Sequence, residues 1–421
     1  MPVRYNLARI EEHDMTPLYK EETLSAETES KIDSLKLVTK IWRHDGDNYR
    51  ITRYDKNYLS FDRIESSGLF RSVISRNGEI LSFSPPKAMA SHKFMEKFLP
   101  GDCVAEEFVE GTMISMFFDK HKGDNGDWEI ATKGAVGAKM GFFTTGDPEK
   151  DKTFRCMFLE CCVDAGLEFE VLDKSVCYTF VFQHPLNRIV RPFVETALYL
   201  VSSYRINNED YSVTELSQFD ARTPLIDSGV VFPEQYSFDT YETLREEWAS
   251  GNTDYKYVGV MIRNPATGAR TKFRNPNYEN VRQLRGNQPK LQYQYLALRQ
   301  QGRIKDYLKY FTEHREPFSQ FRRQVHDFTR QLHTNYISCY IHKDKPLREF
   351  PYQFRTHMYN LHDMYMNQLR AQDTYVSRQV VIDHINTMHP AKLMFSLNYA
   401  LRQHNVETTI AESETVEAEE N

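Results

Sequence analysis

The sequence predicts an α+β protein, with a mostly antiparallel β domain over residues 37–284 followed by an all-α domain over 285–405. Three observations predict it. Up to about residue 284 apolar residues alternate with period 2, as in RSVIS (71–75) and EILSFS (79–84). Beyond it they recur every three or four positions, as in YQYLALRQ (293–300). Asp45-Gly46 and Asn77-Gly78 each stand between β-type runs, where a two-residue hairpin turn needs residues that tolerate positive φ.

Taken in order, residues 1–36 are polar and charged, and ETLSAETESKIDS (22–34) reads as a solvated helix or linker. The runs around Asp45-Gly46 and Asn77-Gly78 give two hairpins. Residues 113–118 and 128–132 are two further strands flanking the polar turn DKHKGDNGD. TFRCMFLECCVDAGL (153–167) has helical spacing, with Gly166 as its stop. SVCYTFVFQ is a strand that meets His184-Pro185; PLNRIVRPF and ALYLVSSYRI are expected to continue the sheet. YETLREEWAS (241–250) is helical, and YKYVGVMIRN pairs with ARTKFRN across the turn at 265–268. Helices such as FRTHMYNLHDMYMNQLRAQ, SRQVVIDHINTM and PAKLMFSLNYALRQ fill the second domain. The tail 406–421 is acidic, nearly free of large apolar groups, and expected to be disordered.

At 421 residues and a net charge of -6, the chain must meet any nucleic acid through a local basic face. The start has no apolar secretory core, and no run approaches the length of a membrane span, so a location in the cytoplasm is expected. The six cysteines form no CxxC pair, and the histidines show no HExxH spacing, so no metal site is assigned. Reduced thiols are the expected state.

Two groups of cations stand out. Lys87, Lys133 and Lys139 fall close to the central strands and could meet on one polyphosphate, although each alone reads as an ordinary surface lysine. Arg299, Arg303, Lys305, Lys309, Arg322 and Arg323 lie in the helical part among Tyr307, Tyr310 and Phe311. Such a face could track an RNA backbone while the aromatic rings stack on bases, against the plainer reading of a solvated basic surface.

Several phrases, in one order over about residues 60–280, resemble the nucleotidyltransferase domain of the RNA ligase 1 family of T-even phages. Phe70-Arg71 with the following strand pair resembles the family's Arg-Gly strand, and MEKF (95–98) occurs almost unchanged. ATKGAV (131–136) resembles its Lys-x-Lys-Gly-Ser phosphate-contacting strand, and PLNRIV (185–190) its Pro-Thr-Asn-Arg-Ile-Val. YVGVM and TKFR resemble the fourth and fifth motifs, with Lys272 and Arg274 in the place of Lys-x-Lys. The phrase EGTMI (110–114) also resembles ligase-like reading frames of large eukaryotic DNA viruses, which would put the protein in host cytoplasm or a virion. The resemblance implies an ATP-grasp-like ligase domain whose lysine takes AMP from ATP, with magnesium, and passes it to an RNA 5′-phosphate. It implies phosphate or nucleotide contacts from Arg71, Lys87, Glu110, Gly111, Lys133, Arg188, Lys272 and Arg274.

The departures bear on that chemistry. In the family's Lys-x-Asp-Gly, Gly111 keeps its place and Glu110 replaces Asp, but Phe108 stands where the lysine belongs. A phenyl ring has no lone pair to attack phosphorus. Val181 replaces the expected ribose-binding glutamate, and Tyr255-Lys256 replaces the Glu-Gly of the metal site. The expectation is therefore a degenerate ligase that binds RNA ends or a nucleotide. The alternatives are an active ATP- and magnesium-dependent ligase using Lys87, Lys133, Lys120 or Lys256, and a structural or virion protein with its helical domain as a protein-binding surface.

Overall fold

The structure, a computed structural model, describes residues 2–60, 63–142, 151–288 and 290–403. The tail expected at 406–421 lies outside these residues. The chain divides into two compact units, Met1–Gln283 and Leu284–Asn421.

The first unit is built on antiparallel ladders. A seven-stranded sheet has the order β1 (Arg4–Asn6), β14 (Ser212–Glu215), β13 (Ala197–Asn207), β12 (Val176–Gln183), β9 (Thr112–Asp119), β10 (Asp127–Thr132) and β11 (Ala135–Val136). A second sheet runs β4 (Leu37–His44), β5 (Asp47–Tyr54), β6 (Val73–Arg76) and β7 (Glu79–Phe83). A third runs β15 (Gln235–Tyr236), β8 (Val104–Glu107), β16 (Gly259–Arg263) and β17 (Arg270–Arg274). β2 (Arg9–Ile10) and β3 (His13–Asp14) form a small ribbon.

Both expected hairpin turns form. Asp45 and Gly46 have φ of 49° and 91°, and Asn77 and Gly78 have 51° and 83°. Positive φ at both central residues gives the twist that matches the flanking strands. β12 is buried along its whole length, because both faces of its sheet are covered. Tyr178, Phe180 and Phe182 pack with Met157, Phe158 and Cys161 of the helix Phe154–Asp164, while Cys177 faces the core shared with β5, β6 and β7.

Two expectations need correction. The first 36 residues are more than a polar segment: the helix expected within 22–34 forms at Ala26–Ser34 with most of its residues exposed, but β1 pairs with β14, and Leu7, Ile10, Leu18, Ile32 and Leu35 are buried in the core. PLNRIVRPF forms no strand, because Pro185 and Pro192 cannot donate to a ladder, and a turn closes from Asn187 N–H to His184 O.

The second unit is helical, with helices Leu291–Gln300, Ile304–Tyr310, Arg315–Tyr336, Tyr352–Met364, Arg378–Thr387 and Pro390–Leu397. Of the three aromatic residues expected to stack on bases, Tyr307 and Phe311 turn inward and Tyr310 is half-buried. Tyr307 and Phe311 are fully buried, with ring centres 4.6 Å apart, and Phe318 stacks on Tyr307 at 5.1 Å. The periodicity that suggested base stacking is that of a core-facing stripe. Among the described residues no helix is long and apolar enough to cross a membrane.

Candidate functional site

A cleft of about 500 Å³ opens in the first unit among its three larger sheets. One wall is a face of the β8–β16–β17 sheet. The register sets Glu106, Met261 and Lys272 in one row across three strands, and Arg263 beside Arg270 in the next. Because side chains alternate along a strand, Arg270, Lys272 and Arg274 project to the same side. The seven-stranded sheet supplies Met113, Val181, Ser202, Tyr204 and Glu215, with Gly111 just before β9. The third wall carries Tyr54, Lys56, Arg71 and the irregular segment 85–88, and Lys133 reaches in from the turn between β10 and β11.

The cations in this cleft crowd one another. Burial, then the charges of Arg274 and Lys87, push Lys272 down to about 7. Burial, then Arg71 and Lys56, push Lys133 down to about 8. Arg71 is lowered to about 10 by burial and by Arg270, and Lys87 is lowered by burial and by Arg71. Among the described residues no carboxylate forms an ion pair with Arg71, Lys87, Lys133 or Lys272. Lys133 instead lies 4.5 Å over the Tyr54 ring, and Arg270 donates to the carbonyls of Pro85 and Pro86 at 3.0 and 2.9 Å. Glu106 and Glu215 both face Arg263, at 3.2 and 3.5 Å.

Phe108 follows β8 directly, on the cleft wall. Lys272 Nζ and the Arg274 guanidinium lie 5.8 and 5.4 Å from its ring centre, within cation–π range. Arg274 also pairs with Glu279. Gly111, at φ 150°, passes so close to β12 that a Cβ would stand 2.4 Å from Phe182 O. No other residue fits there.

Glu110 does not join the cleft wall. Its buried carboxylate accepts from Val190 N–H at 2.6 Å and Arg191 N–H at 3.0 Å, fixing the loop after β12, and burial pushes its pKa up to about 7. Arg188 lies in the same loop, its Nε donating to Val190 O at 2.9 Å. The structure thus brings Arg71, Lys87, Gly111, Lys133, Lys272 and Arg274 to one cleft, with Phe108 among them, and leaves Glu110 and Arg188 behind it.

The other lysines are elsewhere. Lys120 is exposed in the turn after β9 and pairs with Glu79 at 2.6 Å; Lys256 is exposed before β16. Lys139 pairs with Asp45 at 2.7 Å rather than meeting Lys87 and Lys133. In the helical unit Arg303, Lys305, Lys309, Arg322 and Arg323 are exposed and Arg299 is half-buried. Arg270, Arg263 and Lys56 were missed as cleft residues. The alternation of ARTKFR was the available signal, since three cations at every second position of a strand share a face.

One group of possible metal ligands, His44, Asp45 and Glu129, lies away from the cleft. Glu129 is already held by Lys122 at 2.7 Å and Arg155 at 2.5 Å. Those cations neutralise the charge a metal would need.

No protein-family model matches the sequence, and no curated protein matches it. Among solved structures it is similar to mutant forms of the RNA ligase of Naegleria gruberi with ATP and manganese. One is 9% identical with a TM-score of 0.31, over 43% of this chain and 51% of that one. A second is 10% identical with a TM-score of 0.31, over 62% and 83%. The chain spans about half the length of the first of these ligases. Similarity at this level fixes neither family nor activity.

Proposed function

We propose that this protein is RNA-ligase-like, of nucleotidyltransferase fold, and that it holds RNA ends or a nucleotide by their phosphates without adenylating itself. The observation that carries this reading is the group of four cations, Arg71, Lys87, Lys133 and Lys272, in one cleft with no carboxylate partner among the described residues. Like charges gathered in a half-buried cleft repel, and a bound polyanion relieves that repulsion. The ordered resemblance over residues 60–280 to the RNA ligase 1 family of T-even phages supports the same ligand. Its phosphate-facing cations include these four, with Arg274 also in the cleft and Arg188 outside it, and Phe108 in the place of the nucleophile argues against self-adenylation. Arg299, Arg303, Lys305, Lys309, Arg322 and Arg323 are proposed as RNA phosphate contacts of the helical unit.

The test is incubation with α-labelled ATP and magnesium followed by a denaturing gel, beside filter binding of ATP and 5′-phosphorylated RNA across a salt series. The expected result is no covalent label, with binding that weakens steeply as salt rises. A second reading, a ligase with a displaced nucleophile, is favoured by one observation. Lys133, at about 8, and Lys87, also lowered, carry more of the neutral amine that attack on phosphorus needs. A labelled band that disappears in Lys87→Ala or Lys133→Ala would establish it.

A further inference from the structure

We infer that the cleft binds a triphosphate group without a divalent metal, the protein's own lysines and arginine supplying the countercharge. The inference rests on the phosphate-binding reading above and adds the form of the ligand and the absence of a metal requirement.

The first argument is charge. A triphosphate carries about four negative charges, and among the described residues Arg71, Lys87, Lys133 and Lys272, with Lys56 beside them, form no carboxylate ion pair. The Arg71 guanidinium offers paired donors, and each ammonium offers a compact point charge, so both modes of phosphate recognition are present. The cations also act on one another. Lys133 feels Arg71, Lys56, Arg53 and Lys87; Lys87 feels Arg71, Arg270 and Arg274; Lys272 feels Arg274, Lys87 and Arg71. Arg71 and Lys87 act on both Lys133 and Lys272, so these cations face one ligand together, and several charges suit a chain of phosphates better than one.

The second argument is the missing metal ligands. Magnesium at a polyphosphate site is held by one or two protein carboxylates as well as the phosphates. The cleft acids do not supply them. Glu106 and Glu215 converge on Arg263. Glu107 alternates to the opposite side of β8 from Glu106, where its charged neighbours are Glu234 and Arg191. Every charge acting most strongly on Lys87, Lys133 and Lys272 is positive, so a metal ion there would meet repulsion from all sides. The residues of this cleft do not fit a bound divalent ion.

The triphosphate could belong to a nucleoside triphosphate or to a 5′-triphosphorylated RNA end. The test is equilibrium dialysis of the full chain with labelled tripolyphosphate, ATP, and a short RNA bearing a 5′-triphosphate or a 5′-monophosphate, each in EDTA and in magnesium. The inference expects tripolyphosphate to bind in EDTA at least as tightly as in magnesium, and the 5′-triphosphate RNA to exceed the monophosphate. The tighter of ATP and triphosphate RNA then names the source. Affinity that rises about tenfold or more with magnesium overturns the inference. So does binding of ATP without binding of tripolyphosphate, although that result leaves the broader phosphate-binding reading standing. Failure of every ligand in both conditions removes that reading as well. The wild-type comparison needs no substitution; a supporting arm, Lys133→Met with Lys272→Met, should weaken tripolyphosphate binding about tenfold in EDTA while the thermal transition of the chain persists.

Discussion

Lys272 Nζ lies 5.8 Å from the centre of the Phe108 ring, so an aromatic face meets an ammonium that no carboxylate among the described residues neutralises. The Arg274 guanidinium shares the ring at 5.4 Å. Phe108→Leu keeps an apolar side chain but removes the ring quadrupole, and is expected to lower stability by about 0.5–2 kcal/mol. A shifted urea midpoint at unchanged slope would show it. An unchanged midpoint would mean the ring contributes only bulk.

The cleft lysines give a pH dependence of definite sign. Lys272 is held down to about 7 in the fold, against an ordinary value of 10.5. Between those values the unfolded chain binds a proton that the folded chain does not, so stability rises with pH over that interval. Lys133, held to about 8, adds the same trend above pH 8. The thermal midpoint of the ligand-free protein should therefore climb from pH 7 to 9.5, and climb less in Lys272→Met.

A bound polyanion reverses that slope. It favours the charged amines, so tripolyphosphate affinity should fall as pH rises from 7 to 9. Dialysis at constant ionic strength measures it, and affinity that is flat across this range would remove Lys272 from the contact set.

Glu110 holds two backbone N–H groups of the loop after β12. Glu110→Ala leaves both without their acceptor, at a cost of about 2–5 kcal/mol in stability. Thermal denaturation checks the loss. Triphosphate binding by the folded fraction should persist, since this carboxylate does not line the cleft.

Gly111→Ala is expected to be more damaging than any cleft substitution, because the new Cβ would sit 2.4 Å from Phe182 O at a φ of 150°. The outcome to measure is soluble yield and melting temperature. A variant melting with the wild type would mean the two strands can part at that point without cost.

Local rules carried much of the fold. Asn77-Gly78 announced its hairpin because few other residue pairs adopt positive φ twice in succession. The helix ending before Gly166 was legible for the same kind of reason, Gly166 having φ 60°. What the sequence hid was partnership at a distance. ETLSAETESKIDS is polar on most of its surface, and only packing discloses that Thr28 and Ile32 are covered. Tyr307 and Phe311 looked available to a base because spacing gives a stripe but not what the stripe faces. In the cleft, Lys133 and Lys139 are six residues apart, yet one joins the cations and the other pairs with Asp45.

The place of β1 has a consequence for the order of assembly. Its partner is β14, Arg4 lying opposite Thr214, so β1 waits for its partner until about two hundred residues have followed it. The intervening hairpins can close as they emerge, each from near neighbours in the chain. The edge of the large sheet cannot. Until then Leu7 and Leu18, buried in the finished unit, have no finished core to enter. β1 is therefore among the last strands of that sheet to be sealed.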